Sequence, residues 1–327
     1  MRTIGEIGEF GMIERLARVL PSSSGVVEGI GDDCAIVRVS DRLLLVSCDL
    51  FVEDVHFRRS TAGPLDIGWK AAATAVSDIA AMGGVPLYAV VSLACPSDTG
   101  VVYLEQICEG LSAALARSGA VIVGGDTTRS PGPLTIDVTV MGEPSGGRCL
   151  KRKGARYGDL VVVSGPLGLS AAGLHALEKG HDEPKLIEAH LRPKPRIAEG
   201  QWLCGKNSVH AMIDISDGLV QDLGHIAKAN NVGIDLRRET LVPSPEIKAY
   251  CENHGLDPMP FITAGGEDYE LAFTVDTAQA EEVLASFERE FGWKLNVVGE
   301  LTGQWTGVRL DGEELARGGF DHFKSKD

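Results

Sequence analysis

Apolar positions along the chain alternate between short strand-like runs and longer segments with helical periodicity. In the first half, four apolar runs predict β-strands, at residues 42–50, 85–95, 119–125 and 134–142. Two segments between them have the spacing of amphipathic helices and end at glycine, at residues 64–83 and 101–119. Because strands interleaved with helices are typical of α/β and α+β proteins, the first half is predicted to form one domain of this kind.

A basic, turn-rich segment at residues 146–159 interrupts this pattern, and a new series of elements follows it. We predict two further strands, at residues 159–165 and 268–275. We predict helices within residues 165–180, around 194–205 and after the sequence DISDG at 214–218. The chain is long for a single core, so we predict two domains, residues 1–148 and 149–327, of the α/β (α+β) fold class.

The composition excludes several classes of protein. A formal net charge of −15 disfavours nucleic-acid binding, because phosphate backbones are bound by clustered Lys and Arg. No window approaches the roughly 18 consecutive apolar residues of a membrane span, and the N-terminus lacks the apolar run of a signal peptide. We therefore expect no membrane association and a cytoplasmic location. Seven cysteines without a C-x-x-C pair argue against a disulfide framework and a structural zinc site.

Common nucleotide-binding and catalytic motifs are absent from the sequence. The segment GQWLCGKN (200–207) has the spacing of a phosphate-binding loop, but Asn207 replaces the Ser or Thr that would ligate magnesium. Its pattern favours the end of an amphipathic helix. No G-x-G-x-x-G follows a strand, and neither H-E-x-x-H nor G-x-S-x-G occurs. If the chain is an enzyme, its chemistry uses other residues.

Aspartates recur at strand ends and glycine-rich turns throughout the chain. They occur in five segments, GIGDDCA (29–35), SCD (47–49), SDIAAMGG (77–84), GGDTT (124–128) and DISDG (214–218). Any one of them fits a solvated turn or a helix cap, but together they supply hard oxygen ligands without His or Cys, as Mg²⁺ prefers. Asp78 also stands inside an otherwise apolar helix, where a buried carboxylate needs a partner. The sequence therefore predicts a magnesium site through which an acidic protein binds an anion.

Three further features stay open from the residues alone. His56 lies among apolar neighbours in FVEDVHF (51–57) and fits a core histidine as well as a ligand contact. Glu267 and Asp268 follow two glycines at a strand start, where a turn or a cap explains them adequately. A solvated turn and a phosphate clamp both fit the densest basic cluster of the chain, Lys151, Arg152, Lys153 and Arg156.

The order of these motifs resembles the thiamine-monophosphate kinase family, whose superfamily includes aminoimidazole ribonucleotide synthetase, selenophosphate synthetase and a hydrogenase maturation protein. The resemblance covers nearly the whole chain. It rests on these segments in order: GEFGMIERL, GIGDDCA, SCDLFVEDVHF, GWKAAATAVSDIAAMGG, GGDTTRSP, SGPLGLSAAGL, HLRPKPRI, DISDGLVQDLGHI, GGEDYELAFT and GGFDHF. GGEDYEL and VEDVHF resemble the kinase rather than its superfamily relatives.

The resemblance implies ATP-dependent phosphorylation of thiamine monophosphate to thiamine diphosphate, with several Mg²⁺ ions and with ATP as co-substrate. It implies magnesium at Asp33, Ser47, Cys48, Asp49, Asp78, Asp126, Asp214 and Asp217. It implies ATP contacts at Gly125, Asp126, Arg152 and Ser216, and thiamine monophosphate contacts at His56, Glu267 and Phe320. The implied catalytic residues are Asp49, Asp126 and Arg152. Cys48 replaces the family's usual Thr, and because a thiol is a poor magnesium ligand, only its backbone carbonyl would serve.

The resemblance further implies a homodimer, with an N-terminal mixed sheet that pairs between subunits and a C-terminal α/β sandwich-like domain that closes the nucleotide cleft. A phosphate monoester has a second pKa of about 6, so the acceptor oxygen is already anionic at neutral pH. We therefore expect direct in-line transfer of the γ-phosphoryl group, with aspartates that hold cations rather than act as general bases. Two alternatives stay open: an aminoimidazole ribonucleotide synthetase-like enzyme that uses ATP to activate another acceptor, and a non-catalytic acidic protein that binds metal or nucleotide.

Overall fold

The computed structural model describes residues 3–315 and 322–323, and this part of the chain forms two domains, each built on one mixed β-sheet. The predicted α/β (α+β) fold class with two domains is confirmed. The two sheets are separated by residues 145–159, and the boundary after residue 148 stays a prediction. No helix within the described residues is long and apolar enough to cross a membrane.

The N-terminal domain contains three helices and six strands. In chain order they are α1 (Ile4–Val19), β1 (Val26–Glu28), β2 (Ala35–Val39), β3 (Arg42–Val52), α2 (Pro64–Ala81), β4 (Gly84–Cys95), α3 (Val101–Arg117), β5 (Val121–Arg129) and β6 (Thr135–Pro144). The strands lie in the order β1-β2-β3-β6-β4-β5, with β4 and β5 parallel and the other neighbours antiparallel. Strand β5 therefore forms one edge of the sheet, and it is exposed along its whole length.

The C-terminal domain surrounds a seven-stranded sheet with helices. Its elements are β7 (Leu160–Val163), α4 (Leu169–Lys179), α5 (Pro184–Leu191), α6 (Ile197–Cys204), β8 (Val209–Asp214), α7 (Leu219–Asn230), β9 (Gly233–Leu236), α8 (Pro245–His254), α9 (Met259–Ala264), β10 (Leu271–Val275), α10 (Thr277–Phe291), β11 (Asn296–Thr302), β12 (Gly307–Leu310) and β13 (Glu313–Glu314). The strand order is β13-β12-β9-β11-β7-β10-β8, with only β9 and β12 parallel among these described strands. Apolar clusters that include Leu223 of α7 and Phe287 of α10 cover the sheet.

The elements predicted from apolar periodicity are present, with their ends displaced by a few residues. The strand predicted at 119–125 begins at Val121, because Gly119 has a φ of 87° and belongs to the turn after α3. The strand predicted at 268–275 begins at Leu271, and the polar residues before it contact other elements. Helices α1, α5 and α8 to α10, and strands β1, β2, β8, β9 and β11 to β13, were not predicted.

Helix α2 is packed from both domains and lies in contact with α3. Alanines at positions 71, 72, 73 and 75 are at most 1% exposed. Gly68 and Gly110 allow the close approach of α2 and α3: a Cβ on Gly68 would lie 2.0 Å from the carbonyl oxygen of Ile107. At the other end, a Cβ on Gly200 of α6 would lie 2.2 Å from the carbonyl oxygen of Ala80. The helix is therefore fixed by backbone contacts that leave no space for even a methyl group.

We predict that Gly68→Ala destabilises the protein by about 1–3 kcal/mol, because the added methyl group would overlap backbone atoms of α3. Gly224→Ala is the matched control within a helix, since a Cβ there meets nothing within 4 Å. It should be neutral or stabilise by roughly 0.5–1 kcal/mol. Thermal unfolding of both variants checks this, and equal melting temperatures would contradict the close approach.

Candidate active site

Three carboxylates converge where the two domains meet. Asp33 precedes β2, Asp78 lies on α2 and Asp214 ends β8. Each offers a carboxylate oxygen, and these three oxygens lie within 4.8 Å of one another. We call Asp33, Asp78 and Asp214 the carboxylate cluster. The three carboxylates therefore come from three of the five acidic segments seen in the sequence, although these segments are far apart along the chain.

Burial raises the pKa values of all three aspartates of the carboxylate cluster. Removal from water, together with Asp214 nearby, raises the pKa of Asp33 to about 6 in spite of Arg152. Burial likewise raises the pKa of Asp214 to about 6 and that of Asp78 well above its usual range. Two serines partly compensate: Ser77 Oγ donates to Asp214 Oδ2 at 2.6 Å, and Ser47 Oγ donates to Asp78 Oδ2. Such a group of carboxylates favours a bound cation.

Arg152 is the cation that contacts the carboxylate cluster among the described residues. Its Nε and Nη2 both donate to Asp33 Oδ1, at 3.1 and 2.6 Å. Its backbone N–H donates to Asp32, a residue next to the cluster whose pKa burial raises to about 6. Asn230 Nδ2 also donates to the Arg152 carbonyl oxygen at 2.8 Å, which fixes the backbone at Arg152. Of the four basic residues in the predicted phosphate clamp, Arg152 thus lies at the site.

Strand β3 presents Ser47 and Asp49 on the face toward α2 and Cys48 on the opposite face. The Cys48 side chain is exposed, and its Sγ donates to Asp137 Oδ2 at 3.2 Å. Asp49 Oδ2 is buried and has no hydrogen-bond partner within the described part of the chain. Burial, together with Asp137 on the neighbouring strand, raises the pKa of Asp49 to about 6. The alternation of the strand therefore directs the Cys48 thiol away from the cluster.

The DISDG turn after β8 is held by a residue that the sequence analysis did not identify. Asp222 Oδ2 accepts from the backbone N–H groups of Ser216, Asp217 and Gly218, at 3.0, 3.1 and 3.0 Å. Asp222 lies in the first turn of α7 and is 2% exposed. Asp217 accepts from Gln221 Nε2 at 2.9 Å. An acidic residue in the first helical turn was the available signal, because it binds N–H groups at a helix start.

The GGEDYEL segment joins the two domains through its polar side chains. Glu267 Oε2 accepts from the buried Lys70 Nζ of α2 at 2.8 Å. Asp268 accepts from the N–H groups of Gly168 and Ser170, at 2.5 and 3.1 Å. Tyr269 likewise hydrogen-bonds Thr74 of α2, whereas Asp268 and Glu270, which pairs with Arg196, contact residues of the C-terminal domain itself. Lys70 was missed, although a charged residue in an apolar helix is the signal that identified Asp78.

His56 lies beside the C-terminal segment of the chain. Its Nδ1 accepts from the Val52 N–H at 3.0 Å, and its ring stacks on Phe51. The His322 ring is 4.9 Å away, centroid to centroid. Burial, with His322 nearby, lowers the pKa of His56 to about 4, so the ring is neutral at pH 7. Phe320, the third predicted substrate contact, lies outside the described residues.

Gly125 and Asp126 lie on the edge strand β5, apart from the carboxylate cluster. Gly125 has a packing role there, since a Cβ on it would lie 1.8 Å from the Val91 carbonyl oxygen. Asp126 pairs in register with Ser92 and is exposed. The structure therefore brings together Asp33, Asp78 and Asp214 with Ser47 and Arg152, and it leaves Asp126 exposed on the edge strand β5.

Comparison with known proteins identifies relatives of the chain over nearly its whole length. Residues 31–143 match the family described as AIR synthase related protein, N-terminal domain, and residues 156–311 match the corresponding C-terminal domain. The thiamine-monophosphate kinase of Aquifex aeolicus is 38% identical over 97% of this chain and 99% of its own length. That of Escherichia coli K12 is 36% identical over 97% and 98%.

A solved structure described as AaThiL complexed with AMPPCP and TMP has a TM-score of 0.88 and 37% identity to the chain. The match covers 98% of this chain and 99% of that one. Sequence and structure thus agree across both domains and across the segment between them. The chain belongs to the thiamine-monophosphate kinase family.

Proposed function

We propose that the chain transfers the γ-phosphoryl group of ATP to the phosphate of thiamine monophosphate, giving thiamine diphosphate and ADP. A bond forms between an acceptor phosphate oxygen and the γ-phosphorus. The bond from that phosphorus to the bridging oxygen breaks, and its electron pair leaves with ADP. The observation that carries this proposal is the carboxylate cluster at the domain junction, in a chain related over its whole length to thiamine-monophosphate kinases.

The carboxylate cluster and its neighbours Ser47 and Asp49 fit magnesium. They offer carboxylate and hydroxyl oxygens without nitrogen or sulfur ligands, which is the donor set that Mg²⁺ prefers. Two of the carboxylate oxygens, Asp33 Oδ2 and Asp49 Oδ2, are buried without a hydrogen-bond partner among the described residues. We assign magnesium to Asp33, Ser47, Asp49, Asp78, Asp214 and Asp217, and we keep Asp126 and the Cys48 carbonyl as further predicted ligands. When bound, Mg²⁺ would offset the charge of the phosphates and of the group in transfer.

Arg152 is assigned to the phosphates of ATP, with Ser216 and Gly125 as further ATP contacts. Its Nε and Nη2 are engaged by Asp33, while no described residue accepts from Nη1. A guanidinium held along one edge presents its remaining donors in a fixed direction, which suits a phosphate oxygen. Asp33 thereby orients Arg152, and Arg152 offsets part of the negative charge of the cluster.

The acceptor is assigned to the side of the site that contains His56 and Glu267, with Phe320 as a predicted third contact. Because Nδ1 of His56 accepts from Val52, the neutral ring carries its proton on Nε2 and presents a donor. No residue is needed as a general base, since the acceptor phosphate is already ionised at neutral pH. The proposed role of the carboxylates is therefore to hold cations.

Incubation of the protein with ATP, Mg²⁺ and thiamine monophosphate tests the proposal. We expect thiamine diphosphate and ADP in equal amounts, and no labelled phosphoenzyme during turnover. ATP hydrolysis that depends on a different acceptor would favour a superfamily relative. Binding of ATP without any product would favour a non-catalytic protein, and either result would overturn the proposed reaction.

Asp49→Asn is expected to lower kcat about a hundredfold or more, a loss comparable to that of one electrostatic contact to a transition state. The fold should be retained, because the substitution removes a charge from a carboxylate that already lacks a partner. The control is Asp98→Asn, at an exposed position of the loop after β4. Steady-state kinetics and melting temperatures check both variants, and near wild-type turnover of Asp49→Asn would refute its role.

Stability without metal should fall as the pH rises from about 4 to about 6. The folded protein holds protons on Asp33, Asp49 and Asp214 with pKa values of about 6, whereas the ordinary pKa of an aspartate is 3.8. Between these values the folded state binds more protons than the unfolded chain, so deprotonation destabilises it. Added Mg²⁺ binds the ionised carboxylates and should therefore stabilise the protein more at pH 7 than at pH 5.

Thermal melts in EDTA and in millimolar Mg²⁺, at pH 5 and pH 7, check this expectation. We expect Mg²⁺ to raise the melting temperature by a few degrees or more at pH 7 and by less at pH 5. An equal rise at both pH values would contradict magnesium binding at these carboxylates.

A homodimer formed through the N-terminal sheet is also proposed. No described strand pairs with the outer edge of β5, and Val121 and Val123 on it are 55% and 56% exposed. An exposed apolar edge strand favours association with another chain. Pairing at this edge would also bring Asp126 into an interface, in agreement with its exposure in a single chain.

We expect a mass near twice 34.7 kDa in solution and a mass near 34.7 kDa for Val123→Asp. Light scattering coupled to size exclusion measures both. The control Val242→Asp adds the same charge at a position of the C-terminal domain that is 70% exposed. A dimer that persists in Val123→Asp would place the interface elsewhere.

A further inference from the structure

Helix α2 carries a polar face that contacts the C-terminal domain along its length. Lys70, Thr74, Ser77 and Asp78 follow one another at spacings of four, three and one residues, which places them on one side of a helix. Lys70 contacts Glu267, Thr74 contacts Tyr269 and Ser77 contacts Asp214. One end of this polar face therefore belongs to the carboxylate cluster and the other to the GGEDYEL segment.

Lys70 places a positive charge in a buried environment next to Glu267. Its side chain is 4% exposed, and its Nζ lies 2.8 Å from Glu267 Oε2. The same Nζ lies 3.3 and 3.4 Å from the two ring nitrogens of His190. Burial and the neighbouring Lys70 lower the pKa of His190 to about 4, so this ring is neutral and accepts from Lys70. A buried ammonium needs a charged partner, and Glu267 supplies it.

Glu267 is held at both its backbone and its side chain. Its φ of 65° is unusual for a residue other than glycine, and its N–H donates to the Ser216 carbonyl at 2.7 Å. Oε2 is occupied by Lys70, whereas no donor among the described residues bonds to Oε1. The side chain is 27% exposed, so part of the carboxylate is open to solvent. One oxygen is therefore fixed by the protein and the other is available to a ligand.

We propose that Lys70 is a positioning residue for recognition of the acceptor. It fixes Glu267 so that Oε1 accepts a hydrogen bond from an N–H donor of the acceptor, away from the transferred phosphoryl group. This inference rests on the proposed function and on the assignment of Glu267 to the acceptor. Because the Lys70–Glu267 pair is neutral as a unit, it suits a hydrogen-bond donor better than an additional bare cation.

A purely structural role for Lys70 makes a different prediction. If the ion pair only held the two domains together, its loss would also disturb Asp78, about two turns along the same helix face, and Asp214 of β8, which accepts from Ser77 of that face. The KM values of both substrates and kcat would then change together. A positioning role confines the change to the acceptor, since Lys70 touches neither the carboxylate cluster nor Arg152.

The test compares Lys70→Met, Lys70→Arg and the control Lys185→Met by steady-state kinetics. Lys185 forms an ion pair with Glu246 at 3.0 Å on the surface of the C-terminal domain, so the control removes a similar contact far from the site. We expect Lys70→Met to raise the KM for thiamine monophosphate about tenfold or more, with the KM for ATP changed less than about twofold. Lys70→Arg should restore part of the loss, and Lys185→Met should match the wild type.

A double-mutant cycle with Glu267→Gln tests whether Lys70 acts through Glu267. In the Glu267→Gln background, Lys70→Met should add little to the KM for thiamine monophosphate, because the carboxylate it orients is already gone. Fully additive effects, or equal changes in the KM for ATP, would overturn the inference while leaving the proposed function intact. A wild-type protein that makes no thiamine diphosphate would overturn the proposed function, and this inference with it.

Folding of the variants is followed by their melting temperatures. If Lys70→Met yields no folded protein, Lys70→Gln replaces it, since an amide keeps a donor for Glu267 without a buried charge. The same separation between the two KM values is expected. Failure of both variants to fold would assign Lys70 to structure and overturn the positioning role.

Discussion

Buried negative charge at the junction of the two domains is the constraint on which the rest of the structure depends. Asp33, Asp78 and Asp214 come from three separate segments and meet within 4.8 Å, while Arg152 brings one positive charge to them. With all three ionised, two negative charges would stay uncompensated in a site that is largely removed from water. Raised pKa values are one response to this excess, and cation binding is the other. A site of this kind has more negative charge than its own residues offset, and a bound cation would offset the rest.

The elements around the junction are fixed in place, so the three carboxylates cannot move apart to reduce their repulsion. Helix α2 is held by backbone contacts at Gly68 and Gly200, and Asp222 fixes the DISDG turn through three N–H groups. Ser47 and Ser77 donate to the carboxylates instead of separating them. Rigid support of this kind is what electrostatic catalysis requires, because donors and charges that are already in place need no reorganisation during the reaction. The backbone contacts that pack α2 therefore also fix the position of Asp78.

The sequence alone predicts much of the fold because apolar periodicity is a local property. Strands β3, β4 and β6 and helices α2 and α3 follow from it within a few residues. The acidic turns likewise predict a metal site, since ligand chemistry depends on residue type. Which aspartates converge is a long-range property: Asp33 and Asp78 meet at the junction, whereas Asp126, in an equally suggestive turn, lies on an exposed edge strand. Periodicity cannot distinguish these cases, because each turn looks alike before the sheets are assembled.

The same limit explains why Lys70 was missed and why Cys48 needed the structure. A lysine in an apolar helix signals a partner but does not identify it, and Glu267 is 197 residues away along the chain. The side on which Cys48 lies follows from the alternation of β3 only once Ser47 is known to face α2. Long-range partners such as Lys70 and Glu267 depend on the topology of the fold, which the apolar pattern does not contain.

Helix α2 also fixes the distance between Lys70 and Asp78. Lys70 and Asp78 are eight residues apart, about 12 Å along the axis at 1.5 Å per residue. With no space to slide against its neighbours, the helix sets the separation between the Lys70–Glu267 ion pair, the proposed acceptor contact, and the carboxylate cluster. A one-residue insertion between Lys70 and Asp78 would lengthen this distance by about 1.5 Å and rotate one residue by about 100° relative to the other. Changes of acceptor within this fold are therefore easier to make at the Lys70 end, by exchanging side chains, than by altering the helix itself.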